Sequence, residues 1–217
     1  TWLFYTVPDD QMRPYQVWRH RVGTQQSDDV LVLDEADERF FVGLDLTRSG
    51  DWIVITVDSK ETSEVWLVPA GAPERAPVIV RGREHGHEYA VDHWGDRFVV
   101  LTNLDAEDFR IMTAPLDAPG TWNELVAHAP GRRITGVEPF REHLAVHAWE
   151  QGQPGLSVIF RDGTGRSIDV GNDPCDVEFG ANAEYDTSVL RFESQSLVRP
   201  RTVYDEDIRT GVRTILK

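Results

Sequence analysis

Short apolar runs, rich in Val, Ile, Leu and aromatic residues and broken by Gly, Pro, Asp or Asn, recur along the whole chain. Runs of that length and composition read as β-strands, because β-branched and aromatic side chains pack well on a pleated surface. The first three fall at Trp2–Val7, Gln16–Val22 and Val30–Leu33, with none between Leu33 and Trp52. Trp52–Val57, Glu64–Val68 and Val78–Val80 follow, and the series continues to Val189–Glu193, Thr202–Asp205 and Val212–Leu216. Some runs, such as Phe98–Thr102, are apolar at successive positions, as strands covered on both faces must be. Others, such as Tyr15–Val22, alternate, as strands with one wet face do. No segment sustains a helical period, so the fold class is all-β.

The spacing selects the architecture. Five runs open on a large apolar anchor: Trp2, Trp52, Phe98, Leu144 and Leu190, at intervals of 50, 46, 46 and 46 residues. A period of roughly 40–50 residues with four strands per unit is the signature of a β-propeller. A sandwich requires no such regularity. We read the anchors as equivalent innermost strands of units starting near residues 2, 52, 98, 144 and 190. That gives about four and a half four-stranded blades within one partial propeller domain, 1–217. Thr1 and Lys217 both fall in strand-like text, so the chain reads as part of a larger ring. An arc of this kind is expected to leave an apolar terminal blade face uncovered, and hence to associate in solution.

Charge narrows the class of partner. Asp and Glu number 37 against 22 Lys and Arg, a net charge of −15. Phosphate binding needs basic clusters, so nucleic acid is excluded as a partner. An acidic surface keeps a protein soluble and draws cationic ligands toward it. No apolar run approaches the roughly 20 residues of a membrane helix, so no membrane partner is expected. The single cysteine, Cys175, rules out an internal disulfide and fits a reducing compartment, which we read as the cytoplasm.

No catalytic, metal or cofactor residue emerges. A serine hydrolase needs its nucleophile on a sharp G-x-S-x-G turn, and that pentapeptide does not occur. Ser49, Ser59, Ser194 and Ser196 read as structural, as does Cys175, placed in a turn after Pro174. Glu84-His85-Gly86-His87-Glu88 would put two imidazoles on one side of a strand, with His93 nearby, but a metal site needs three or four converging ligands. It reads as an exposed polar loop. Asn103–Asp108 lacks the Gly that a calcium loop turns on, and reads as a solvated hairpin. Asp34–Arg39 reads as an acidic surface turn. The aromatic residues sit on strand positions and read as core.

Collinear strings carry a resemblance further. Leu3-Phe-Tyr-Thr6, Arg13-Pro-Tyr-Gln-Val-Trp-Arg-His20 and Asp29–Val32 come first. Glu35–Val42, Thr62–Leu67, His87–His93 and Trp122–Leu125 continue in order. Leu190-Arg-Phe192 and Pro200-Arg-Thr-Val-Tyr-Asp205 close the series. In that order they resemble the oligopeptidase B branch of the prolyl oligopeptidase family. The resemblance implies a seven-bladed propeller that caps an α/β-hydrolase domain and admits only short peptides, which the enzyme cleaves after Arg or Lys. The catalytic Ser, Asp and His are then expected beyond Lys217, no cofactor is expected, and the chain alone is expected to be inactive. The partners implied are short basic peptides and the enzyme's own hydrolase domain. The alternatives are a stand-alone propeller scaffold and, less well supported, a lactonase-like propeller, which would need calcium ligands converging on a central channel.

Overall fold

The computed structural model describes residues 1–171 and 175–216. Nineteen strands account for the regular structure of these residues, beside one 3-10 turn at Gln26–Asp28. They form five sheets in which neighbours in sequence are neighbours in space. The first sheet has three strands, β1 (Trp2–Pro8), β2 (Pro14–Arg21) and β3 (Val30–Asp34). The second holds β4 (Phe41–Leu46), β5 (Trp52–Asp58), β6 (Ser63–Pro69) and β7 (Val78–Arg81). The third holds β8 (Tyr89–Trp94), β9 (Arg97–Thr102), β10 (Arg110–Pro115) and β11 (Asn123–Val126). The fourth holds β12 (Arg132–Pro139), β13 (His143–Glu150), β14 (Gln153–Phe160) and β15 (Gly165–Ile168). The fifth holds β16 (Cys175–Phe179), β17 (Val189–Ser196), β18 (Thr202–Asp207) and β19 (Arg213–Ile215). Repeated four-stranded antiparallel meanders of this kind are the blades of a β-propeller.

The chain divides into two compact units, Thr1–Leu104 with Met112–Asn123, and Asp105–Ile111 with Glu124–Lys217. In the first, the second sheet is apolar on both faces. Ile55, Val57 and Val68 pack with Val17, Phe40 and Val42, while Val54, Val65 and Leu67 pack with Tyr89, Phe98 and Val100. Alternation along β5 and β6 sends successive side chains to opposite cores, which is why these strands read as continuous apolar text. In the second unit, Phe140, Ala145, Leu156 and Val158 meet Val177, Leu190, Phe192 and Tyr204.

The anchors recur at equivalent positions, but not where they were expected. Trp52, Phe98, Leu144 and Leu190 lie on β5, β9, β13 and β17, each the second strand of its sheet. The strand nearest a propeller axis must be a sheet edge, so none of these is innermost. The edge strand ahead of Trp52 is β4, in the stretch between Leu33 and Trp52 where the apolar pattern predicts no strand. Its sequence, FVGLDL, has exposed Phe41, Asp45 and Leu46 and an interior glycine. Gly43 answers to packing: a Cβ there would lie 2.4 Å from Thr56 Oγ1.

The expectation of an apolar terminal face also fails for the fifth sheet. Val177, Leu190 and Phe192 turn into the core, so the opposite face carries Asp176, Glu178, Arg191, Glu193, Gln195 and Asp205. Arg191 and Asp205 pair across it at 2.7 Å. A face built this way gives no apolar drive to association.

Candidate functional site

Three polar clusters hold the groups with the most chemical potential. The first surrounds the β4–β5 turn. Gly50 takes φ +79°, which turns the chain through Ser49-Gly50-Asp51, and the Gly50 N–H donates to Thr47 O at 2.8 Å. Ser49 Oγ accepts from the Asp51 N–H at 3.1 Å and lies 2.7 Å from Nδ1 of buried His93. Asp51 Oδ2 is 3.5 Å from the same nitrogen. Next to it, Asp92 Oδ1 accepts from the N–H groups of Arg48 (3.0 Å) and His93 (2.6 Å). Burial pushes the Asp92 carboxyl up to about 6, although both backbone donors favour its charged form.

Ser49, His93 and Asp51 have the composition of a catalytic triad and not its geometry. A triad places the serine at one imidazole nitrogen and the carboxylate at the other, so that the ring can take a proton while held by the acid. Here both oxygens address Nδ1. The ring is packed against Trp52 and Phe98, at centroid distances of 6.4 and 5.9 Å. The cluster ties the second sheet to the third.

The second cluster centres on Arg83. Its Nη2 donates to Glu35 Oε2 at 2.5 Å and to Glu64 Oε1 at 3.1 Å, and its guanidinium lies 4.2 Å from the Phe40 ring centroid. Hydrogen bonding to Glu64, and after it to Glu35, raises the Arg83 pKa despite partial burial. Burial works to raise the Glu64 carboxyl, and the bonds from Arg83 and Trp66 more than offset it. Buried Arg13 reinforces the region by donating to the carbonyls of Glu35, Asp37 and Phe40. Asp34–Arg39 is therefore only partly the surface turn expected. Asp37 and Arg39 pair at the surface, and that pairing holds Asp37 at about 2. Glu35 is buried beneath them.

The third cluster lies on the polar face of the fifth sheet. Asp176, Glu178, Glu193, Gln195 and Arg201 border a cavity of 210 Å³. Glu178 stands directly opposite Glu193, and Arg201 pairs with Glu193. This pocket could hold a cationic group but offers no activated nucleophile.

The remaining sequence candidates disperse. His85 is exposed, but His87 is buried, with Nε2 2.9 Å from Thr102 Oγ1 and its ring stacked on Tyr89. The loop expected to be exposed is thus half core, and its two imidazoles do not converge. Asn103 fastens the start of β8, accepting from the Glu88 N–H at 2.8 Å. Asp108 accepts from the Gly131 N–H at 2.8 Å. No group of three or more His, Cys, Asp or Glu among the described residues is placed to hold a metal. Ser59 and Ser196 cap turns, and Ser194 is buried. Cys175 opens β16 instead of lying in a turn, while Pro174 lies outside the described residues. No helix among the described residues is long and apolar enough to cross a membrane.

The family model of the prolyl oligopeptidase N-terminal β-propeller domain matches residues 1–217. This chain belongs to the prolyl oligopeptidase family. Among curated relatives it is 30% identical over 216 residues to Protease 2 of Moraxella lacunata, covering 100% of this chain and 31% of that protein. It is 34% identical over 219 residues to dipeptidyl aminopeptidase BI of Pseudoxanthomonas mexicana, covering 99% of this chain and 30% of that protein. Oligopeptidase B from Leishmania major superposes with a TM-score of 0.91 at 27% identity, over 100% of this chain and 32% of the other. The closed form from Trypanosoma brucei with covalently bound antipain gives 0.90 at 27% identity, with the same coverage. The chain thus spans about a third of the length of the relatives it matches.

Proposed function

We propose that this chain is the lid portion of a cytoplasmic serine oligopeptidase that cleaves short peptides after Arg or Lys. The carrying observation is the match of residues 1–217 to the propeller domain of a peptidase family. The Ser49–His93–Asp51 geometry is consistent with chemistry located elsewhere, because it lacks the relay that acyl transfer requires. In this reading the catalytic Ser, Asp and His belong to a hydrolase domain outside residues 1–217. The propeller limits substrate size, and its surplus of carboxylates steers basic peptides inward. Steering of this kind raises encounter rates and fades as salt screens the field.

The test is a panel of fluorogenic peptides differing only in the residue before the scissile bond, assayed on the full-length protein at low and high salt. Arg and Lys substrates should dominate kcat/KM, and their advantage should shrink at high ionic strength. A preference for uncharged residues would overturn the specificity. Salt-independent kcat/KM would remove the steering role and leave the size filter.

A further inference from the structure

Three turns at one end of the second sheet enclose an open cavity of 410 Å³, a volume typical of small-ligand pockets. The β3–β4 turn contributes Asp37, Arg39 and Phe40, the β5–β6 turn Lys60, Glu61 and Thr62, and the β7–β8 turn Arg83 and His85. Phe40 forms an apolar wall, with the Arg83 guanidinium against its ring. Both arginines are fixed on one side. Arg39 commits Nε and Nη2 to Asp37, at 3.0 and 2.7 Å. Arg83 commits Nε and Nη2 to Glu64, at 3.3 and 3.1 Å, and Nη2 also to Glu35. Among the described residues nothing engages Nη1 of either arginine, and Lys60 makes no ion pair or hydrogen bond. Buried Thr62 accepts at Oγ1 from the Gly86 N–H at 3.2 Å, which leaves its O–H available as a donor.

The carboxylates around the cavity already have cations. Both oxygens of Asp37 accept from Arg39, Glu35 and Glu64 hold Arg83, and exposed Glu61 faces His85 Nε2 at 3.7 Å. What the cavity has left to offer a ligand is donors: Lys60 Nζ, Nη1 of Arg39 and of Arg83, and the Thr62 hydroxyl. Donors grouped in this way take an oxyanion, and guanidinium edges suit the planar carboxylate. Charge sets the valence. Arg39, Lys60 and Arg83 face four carboxylates, so a dianion such as phosphate would be repelled about twice as strongly as a single carboxylate. With both arginines already fixed, binding needs to order little beyond Lys60. A basic peptide drawn in by the acidic surface still carries such a group at its C-terminus.

We propose that this cavity binds one carboxylate of the peptide substrate and that Lys60 is the cation that selects it. The proposal rests on the peptidase reading above. A C-terminus and an acidic side chain supply the same group, and matched peptides tell them apart. The test gives the full-length protein three Arg-containing peptides: one ending in a free acid, the same peptide as its C-terminal amide, and that amide with one Gln replaced by Glu. At least one carboxylate-bearing peptide should show a KM about fivefold below that of the uncharged amide, the size of effect an exposed ion pair gives. Which peptide gains identifies the source of the group. Lys60→Ala should abolish the advantage. Arg97→Ala, which removes a surface cation beside the β8–β9 turn, should preserve it. Equal KM values for all three peptides, an advantage that survives Lys60→Ala, or one lost equally in Arg97→Ala would overturn the proposal. Non-cleavable versions of the peptides, titrated by fluorescence polarisation, separate the two readings. Lys60-dependent preference for the carboxylate without cleavage of any peptide sinks the peptidase assignment alone. Cleavage with no such preference sinks the carboxylate site alone.

Discussion

Asp92 provides a quantitative test of the contact between the second and third sheets. Its carboxyl is half-buried beside the β4–β5 turn, and desolvation raises it to about 6 from an ordinary value of 3.8. A carboxylic acid whose pKa is higher in the folded state binds its proton more tightly there. It therefore contributes stability that is fully present below the unfolded value of 3.8 and is lost as pH rises through about 6. For those two values the loss between pH 5 and pH 8 is ~1.4 kcal/mol, and across the full range ~3 kcal/mol. Asp92→Asn keeps an oxygen that can accept from the N–H groups of Arg48 and His93 and removes the charge. Measured by urea unfolding, the variant should gain about 1.4 kcal/mol on the wild type as pH goes from 5 to 8, a relative midpoint shift of roughly 0.5–1 M. Parallel pH dependences for the two proteins would show that desolvation does not hold this proton.

Other substitutions test the remaining contacts. Arg83→Ala leaves Glu35 and Glu64 buried without their cation and should cost about 3–5 kcal/mol at pH 8, with a smaller loss near pH 4.5, where Glu64, released from the Arg83 bonds that lower it, can take up a proton. A loss equal at both pH values in chemical denaturation would contradict the ion-pair account. Phe98→Ala removes a fully buried ring packed edge-on against Trp52 at 5.0 Å and should cost roughly 3–5 kcal/mol by the same method. Gly120→Ala would place a Cβ 2.8 Å from the Val80 carbonyl oxygen and should lower stability by about 1–3 kcal/mol, whereas a neutral result would mean the loop yields freely.

The period of the fold is legible because a central strand covered on both faces is apolar on both. That condition writes Trp52–Val57 and Phe98–Thr102 as continuous hydrophobic text every 46 residues or so. The strand count within each unit was harder to read. The edge strand β4 is wet at Phe41, Asp45 and Leu46 and broken by Gly43, so its apolar content falls below what a strand announces. Without β4 the next strand legible after Leu33 is Trp52–Val57, and the unit reads as opening there. Buried charge was invisible for a related reason. Glu35 sits in an acidic string that reads as surface, and the partner that allows its burial, Arg83, is 48 residues away. His87 reads as loop for the same reason, since Thr102 and Tyr89 reach it only after the strands pair. The polar face of the fifth sheet was written plainly in the alternation of Arg191, Glu193 and Gln195 with Leu190 and Phe192. The general rule that blade faces are apolar does not hold on this side of the sheet.

In the proposed reading residues 1–217 supply the lid, and the chemistry of the serine oligopeptidase lies outside them. The most direct measurement is turnover of a fluorogenic peptide with Arg before the scissile bond, by this chain alone and by the full-length protein, each also treated with a serine-reactive phosphonate. No turnover and no label are expected for the chain, and both for the full-length protein. Labelling of the isolated chain, at Ser49 or any other serine, or hydrolysis by it above background, would place chemistry within residues 1–217 and overturn the lid reading.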